Sequence, residues 1–152
     1  MIAGIDPGKT GAIAMLYDDG RLYIEDMPAF GKVINGAAIA GILRDFPADH
    51  IFIESSNSFG MGRQSAYNFG QGVGVLKGVM AALDIPYSIV SPARWKHDLG
   101  LGRDKSAARA AATRLFPRYQ DKFKRKKDDG RAEAALIAHW GMKKEGRDNE
   151  QH

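Results

Sequence analysis

Four acids stand where their spacing could do chemistry. Asp6 ends the apolar run MIAGI inside GIDPGKTG, and Glu54 ends the apolar run HIFIE. A carboxylate at the end of a buried strand is costly unless something neutralises it. Asp129 and Glu133, in KKDDGRAEAALIA, are four residues apart and so fall on one face of a helix. Each acid also has a plainer use. Asp before Pro-Gly forms turns, Glu54 can face solvent, and Asp129 can cap a helix whose dipole favours Glu133. A capping box would put its acid at position 132, where Ala132 stands. Asp128 competes with Asp129 for the same role. Together, four converging acids are tolerable only if cations neutralise them. The chain has no cysteine and no cluster of histidines, and an all-oxygen set favours Mg²⁺ or Mn²⁺. Two such ions about 4 Å apart activate water and stabilise the leaving oxygen in phosphodiester hydrolysis.

The same GIDPGKTG stretch contains GKT, the end of a phosphate-binding P-loop. The P-loop needs G-x-x-x-x-G-K-[ST], and the position that should hold its first glycine is Ala3. A P-loop here would also aim Asp6 at a polyphosphate. The spacing argues against a nucleotide cofactor and for Asp6 as the residue of consequence.

The elements that must carry these acids are legible in outline. MIAGI and AIAMLY are apolar runs, and DDG at 18–20 joins the second to RLYIEDM as a hairpin. Residues 36–46 have helical periodicity stopped by Pro47, and HIFIE at 50–54 reads as a buried strand. Residues 64–83 are helical, YSIV is a strand, and Ser91-Pro92 starts another helix. An alanine-rich helix spans 104–116, a basic connector follows, and a last helix covers about 130–143. The order predicts an α/β fold, a mixed sheet flanked by helices, in one domain over 1–143 with a polar tail at 144–152.

At 152 residues the chain is long enough for one real core, and no apolar run approaches membrane-spanning length. Nothing resembles a secretory leader, and the lack of cysteine fits a cytoplasmic protein. The net charge of +4 is unevenly spread: residues 91–131 carry 13 Lys/Arg against 5 Asp/Glu. Such a segment is either a solvated helical face or the footprint of a polyanion binder.

Over roughly 1–141 the sequence resembles the RuvC-type Holliday junction resolvases of the ribonuclease H-like superfamily, particularly their phage-encoded relatives. Four motifs carry the likeness in order: GIDPG, IFIES, SPARWK with GRDKSAAR, and DDGRAEAALIA. The bacterial resolvases usually space the last acid pair three apart; here the spacing is four. The resemblance implies a ribonuclease H-like fold with a five-stranded mixed sheet, in a bacterial or phage-infected cytoplasm. It makes Asp6, Glu54, Asp129 and Glu133 the catalytic and metal-binding acids for two Mg²⁺ or Mn²⁺ ions. The implied reaction is resolution of branched DNA by a homodimer.

Lys96 and Lys105 would hold phosphates near the cut, and Lys124, Arg125, Lys126 and Lys127 would contact duplex backbone with steep salt dependence. Phe59 and Met61, in the loop SSNSFGMGR, are candidates for an apolar wedge at the junction, with Arg63 as a further phosphate contact. Gly70, Gly72, Gly74 and Gly78 cost helix stability, which close helix-helix approach across a dimer would explain; so would a bent helix. Two other functions stay open: a less selective nuclease on branched, flapped or duplex DNA, and a non-enzymatic branched-DNA binder. The binder is disfavoured because four acids repel the phosphate it must hold.

Overall fold

The structure, a computed structural model, describes residues 1–55 and 60–147. Three strands open the chain: β1 (Ile2–Asp6), β2 (Ala12–Leu16) and β3 (Leu22–Asp26). The Asp-Gly hairpin between β2 and β3 forms as expected, with Gly20 at φ 84, in the region glycine tolerates best. A small hairpin that the periodicity did not announce follows, β4 (Ala29–Phe30) and β5 (Val33–Ile34), turning at Gly31. Then come α1 (Gly36–Asp45), β6 (His50–Glu54), α2 (Arg63–Ala82), β7 (Tyr87–Val90), α3 (Pro92–Asp98), α4 (Lys105–Leu115) and α5 (Asp129–Lys144). The basic connector before α5 folds into two 3-10 segments, Pro117–Lys122 and Lys126–Asp128.

The main sheet is five-stranded and mixed, in the order β3-β2-β1-β6-β7. β1 pairs antiparallel with β2 and parallel with β6, and β6 pairs parallel with β7. Alternation along β1 sends Ala3 and Ile5 to a core shared with Ile39 and Leu43 of α1 and Leu76 and Met80 of α2. Ile2, with Ala14 and Phe52, faces the opposite core, built with α3, α4 and α5. Asp6 has the parity of Ile2 and Gly4, and Glu54 that of Phe52. Because Ile5 stands opposite Ile53, the two acids end adjacent parallel strands on the α5 side.

Small residues let α5 press onto that side. Ala132, Ala134, Ala135 and Ala138 are fully buried. A side chain on Gly4 would strike the backbone of Ala134 and Ala138, and one on Gly130 would strike Thr10 and Gly11. The helix therefore rests directly on β1 and on the turn after Asp6.

That turn is not a P-loop. Gly11 N–H donates to Gly8 O at 2.8 Å and the chain goes on into antiparallel β2, with no helix for phosphate to cap.

Candidate metal centre and nucleic-acid interface

Asp6, Glu54 and Glu133 each offer a carboxylate oxygen, and these oxygens lie within 4.8 Å of one another. Gly8 N–H donates to Asp6 Oδ1 at 3.3 Å, so the Pro-Gly turn orients the first acid. The buried indole of Trp95 donates Nε1–H to Glu54 Oε2 at 2.7 Å, and Lys96 Nζ donates to Glu133 Oε1 at 3.2 Å. Neighbouring residues of one short helix thus serve two of the three acids.

That helix is firmly anchored. Ser91 Oγ accepts from Arg94 N–H at its start. At its end Asp98 accepts from Trp140 Nε1 at 2.9 Å and pairs with Lys144 at 3.1 Å, tying α3 to α5. These hydrogen bonds hold the Asp98 carboxyl well below the usual carboxylate range.

Burial pushes the Glu54 carboxyl up to about 7, and the neighbouring charges of Glu133 and Asp6 add to the rise; the Trp95 hydrogen bond and Lys96 oppose it. One ammonium beside three carboxylates leaves two formal negative charges in a half-buried, all-oxygen site. A divalent cation fits that charge and donor set.

Asp129 opens α5 one turn before Glu133 but is not part of the three-acid group. Its Oδ1 lies 2.7 Å from Arg109 Nε, a buried ion pair in which the N–H direction misses hydrogen-bond alignment. Asp128, its open competitor, is engaged elsewhere. It is 1% exposed, accepts from Arg125 Nη2 at 2.9 Å, and lies 3.6 Å from Arg131. Arg131 in turn makes a two-pronged pair with Asp26, both contacts at 2.7 Å.

The residues expected to contact DNA occupy different places. Lys96 stands at the acid group. Lys105 is the first residue of α4, Met61 is exposed, and Arg63 is exposed at the first residue of α2. Phe59 lies outside the described residues. Lys124 pairs with Asp121 on the surface, and Lys126 and Lys127 are exposed. Arg125, exposed as well, pairs through its guanidinium with the buried Asp128 at the entry to α5. Sequence reasoning also passed over Trp95 and Arg109. A tryptophan next to Lys96 in SPARWK was the available signal for the first; nothing local marked the second.

No protein-family model matches the chain. Over 85 residues, 55% of the chain, it is 36% identical to "Holliday junction resolvase MOC1, chloroplastic" of Chlamydomonas reinhardtii, and the match spans 10% of that protein's length. Among solved structures, RuvC of Thermus thermophilus in complex with a Holliday junction superposes with a TM-score of 0.70 at 16% identity, covering 96% of both chains. The structure of Thermus thermophilus RuvC described without that substrate gives 0.67 at 18% identity, again covering 96% of both chains. The yeast mitochondrial Holliday junction resolvase Ydc2 gives 0.56 at 17%, covering 96% of this chain and 79% of that one. The sheet order, the helices on both faces and these superpositions agree: the chain has the ribonuclease H-like fold of the RuvC-type Holliday junction resolvases.

Proposed function

We propose that the chain is a metal-dependent DNA endonuclease that resolves four-way junctions. The observation that carries this is the meeting of Asp6, Glu54 and Glu133 within 4.8 Å at the C-terminal ends of the interior strands β1 and β6 of a RuvC-like sheet, beside Lys96. The partial match to a named junction resolvase and the superposition on RuvC bound to a junction support the same substrate class.

Asp6, Glu54 and Glu133 would hold Mg²⁺ or Mn²⁺, with Asp129 as a fourth acid one helical turn away. Bound there, two such ions would supply Lewis-acid polarisation of the phosphate and water made nucleophilic at neutral pH. Asp6 and Glu54 are fixed by strand ends and Glu133 by α5, so the carboxylates need little rearrangement to act together. Trp95 holds Glu54 in orientation and favours its ionised form. Lys96, shared with Glu133, is placed to meet a phosphate that arrives at the acids. The exposed Lys126 and Lys127 would contact more distant backbone.

A dimer would put two such sites on opposing strands. The outward face of α2 suits it: among the described residues, side chains on Gly70, Gly74 and Gly78 would meet nothing within 4 Å, and Tyr67 beside them is 66% exposed. Residues spaced four apart with no side chains let a second helix approach closely. Gly72 is different, since it packs against Ile34 within its own chain.

The test is strand cleavage with Mg²⁺ or Mn²⁺ on a four-way junction, a flap, linear duplex and single strand, with Asp6→Asn in parallel. The expected result is paired cuts in the junction by the wild type and none by the variant. Equal cutting of all substrates would leave a nuclease but remove the resolvase, and no cutting under either metal would remove the enzyme.

A further inference from the structure

We propose that Asp98, the last residue of α3, is a positioning residue for the acid group. Through α3 it sets the indole of Trp95 on Glu54 and the ammonium of Lys96 on Glu133. The inference rests on the nuclease reading above and names a residue that supports the geometry of that site.

Asp98 stands where its own helix disfavours it. The C-terminal end of a helix carries partial negative charge, which repels a carboxylate and attracts cations. With seven residues, α3 is also too short to be stable alone. An acid at its end therefore needs partners from elsewhere in the fold. Asp98 Oδ2 has two of them on α5: Trp140 Nε1 donates to it at 2.9 Å, and Lys144 Nζ lies 3.1 Å away. From α3 itself, Arg94 Nε donates to the same oxygen at 3.2 Å, and His97 Nδ1 lies 3.4 Å from Oδ1.

The contacts on α5 close a circuit through the acid group. Asp98 holds the Trp140 indole, whose ring meets Phe52 edge-on with centroids 5.4 Å apart. Phe52 lies on β6, two residues before Glu54 and on the same face of the sheet. Glu54 accepts from Trp95, which lies three residues before Asp98 on α3. Each link is a side-chain contact or a stretch of a single strand or helix. Packing leaves the circuit little play. Trp95 and Trp140 are both buried, and a side chain on Gly141 would strike the Phe52 ring. Lys144 Nζ also lies over the Trp140 ring, 5.4 Å from its centroid.

Taking away the Asp98 carboxylate opens the circuit and leaves the Trp140 N–H without this acceptor. The end of α3 is then free to pivot about the buried Trp95 ring. Such a pivot shifts the Trp95 N–H against Glu54 and the Lys96 ammonium against Glu133. Misplacements of about 1 Å, caused far from the chemistry, are enough to slow a reaction.

The chain has two tryptophans, so its two indole N–H signals in proton–nitrogen NMR are assigned with Trp95→Phe and Trp140→Phe. In metal-free Asp98→Ala the Trp95 indole signal should move and its hydrogen exchange should quicken. Mn²⁺ affinity, measured by calorimetry, should fall about 10-fold, the low end for residues behind a metal ligand. On a four-way junction kcat should fall with KM little changed, because the acids act on the reacting phosphate and not on the bound arms. Trp140→Phe keeps a ring against Phe52 and removes the donor; it should move the Trp95 signal the same way, and it serves where Asp98→Ala does not fold. Arg94→Ala breaks only a contact within α3 and should leave that signal in place. A folded Asp98→Ala or Trp140→Phe protein with the wild-type Trp95 signal and Mn²⁺ affinity would overturn the proposal. So would an equal displacement by Arg94→Ala, which would put the anchor inside α3. If the wild type cuts no DNA, the nuclease reading fails, while the Trp95 signal still decides the role of Asp98.

Discussion

At the scale of residues, the acid group is a conflict that a cation resolves. Three carboxylates converge where burial already disfavours charge, and Glu54 registers the conflict most, with its carboxyl near 7. A folded chain that holds this proton more tightly than the unfolded chain loses stability as the proton leaves. The metal-free protein should therefore weaken as pH rises from 4.5 to about 7, by up to about 3 kcal/mol, and millimolar Mn²⁺ should restore it. Urea denaturation between pH 5 and 8, with and without Mn²⁺, measures this; a metal-free protein equally stable at both ends contradicts it.

Trp95 belongs to the same scale. Trp95→Phe keeps an aromatic ring in the core and removes the donor to Glu54. It should cost about 10- to 100-fold in Mn²⁺ affinity or cleavage, as changes to residues behind a metal ligand do. Asp6→Asn should cost more. Metal titration of the folded variant separates this from misfolding, and unchanged affinity would reduce Trp95 to a packing residue.

At the scale of elements, the site depends on how closely α5 approaches β1. Gly4 is the contact point, because any side chain there meets the helix backbone instead of a movable side-chain end. Gly4→Ala should destabilise by about 1–3 kcal/mol or more, as overpacking does, and should displace Glu133 from Asp6. Chemical denaturation gives the first effect; loss of Mn²⁺ affinity in protein that remains folded gives the second. The basic connector divides its labour in the same way. Lys126→Ala and Lys127→Ala should each lower the salt slope of DNA binding by about 1 with little change in stability. Arg125→Ala should instead destabilise, because it removes the guanidinium paired with the buried Asp128 carboxylate and leaves it the residue-125 N–H and the more distant Arg131. Equal thermal stability of all three variants would contradict that division. The helices and main strands were legible from periodicity, and HIFIE even in its bounds. The β4–β5 hairpin was not, since two-residue strands leave no period to detect.

At the scale of the whole molecule, the exposed glycine face of α2 predicts association. If the proposed dimer forms, Gly74→Leu should shift it toward monomer in sedimentation while leaving the monomer folded, because among the described residues nothing lies within 4 Å of a side chain at that position. A wild type that is monomeric at all concentrations removes the dimer. Three of the acids were legible in the sequence because buried apolar runs that end in an acid, and an acid on an otherwise alanine-rich helix, are chemically odd on their own. The basic bias of 91–131 followed from composition in the same way. Partners were another matter. That Trp95 meets Glu54 and that Arg109 pairs with Asp129 depend on contacts between residues far apart in the chain. Strand parity and helix spacing set the face a residue occupies, which sequence carries locally. What stands opposite that face is set by how sheet and helices pack, and only the tertiary structure decided it.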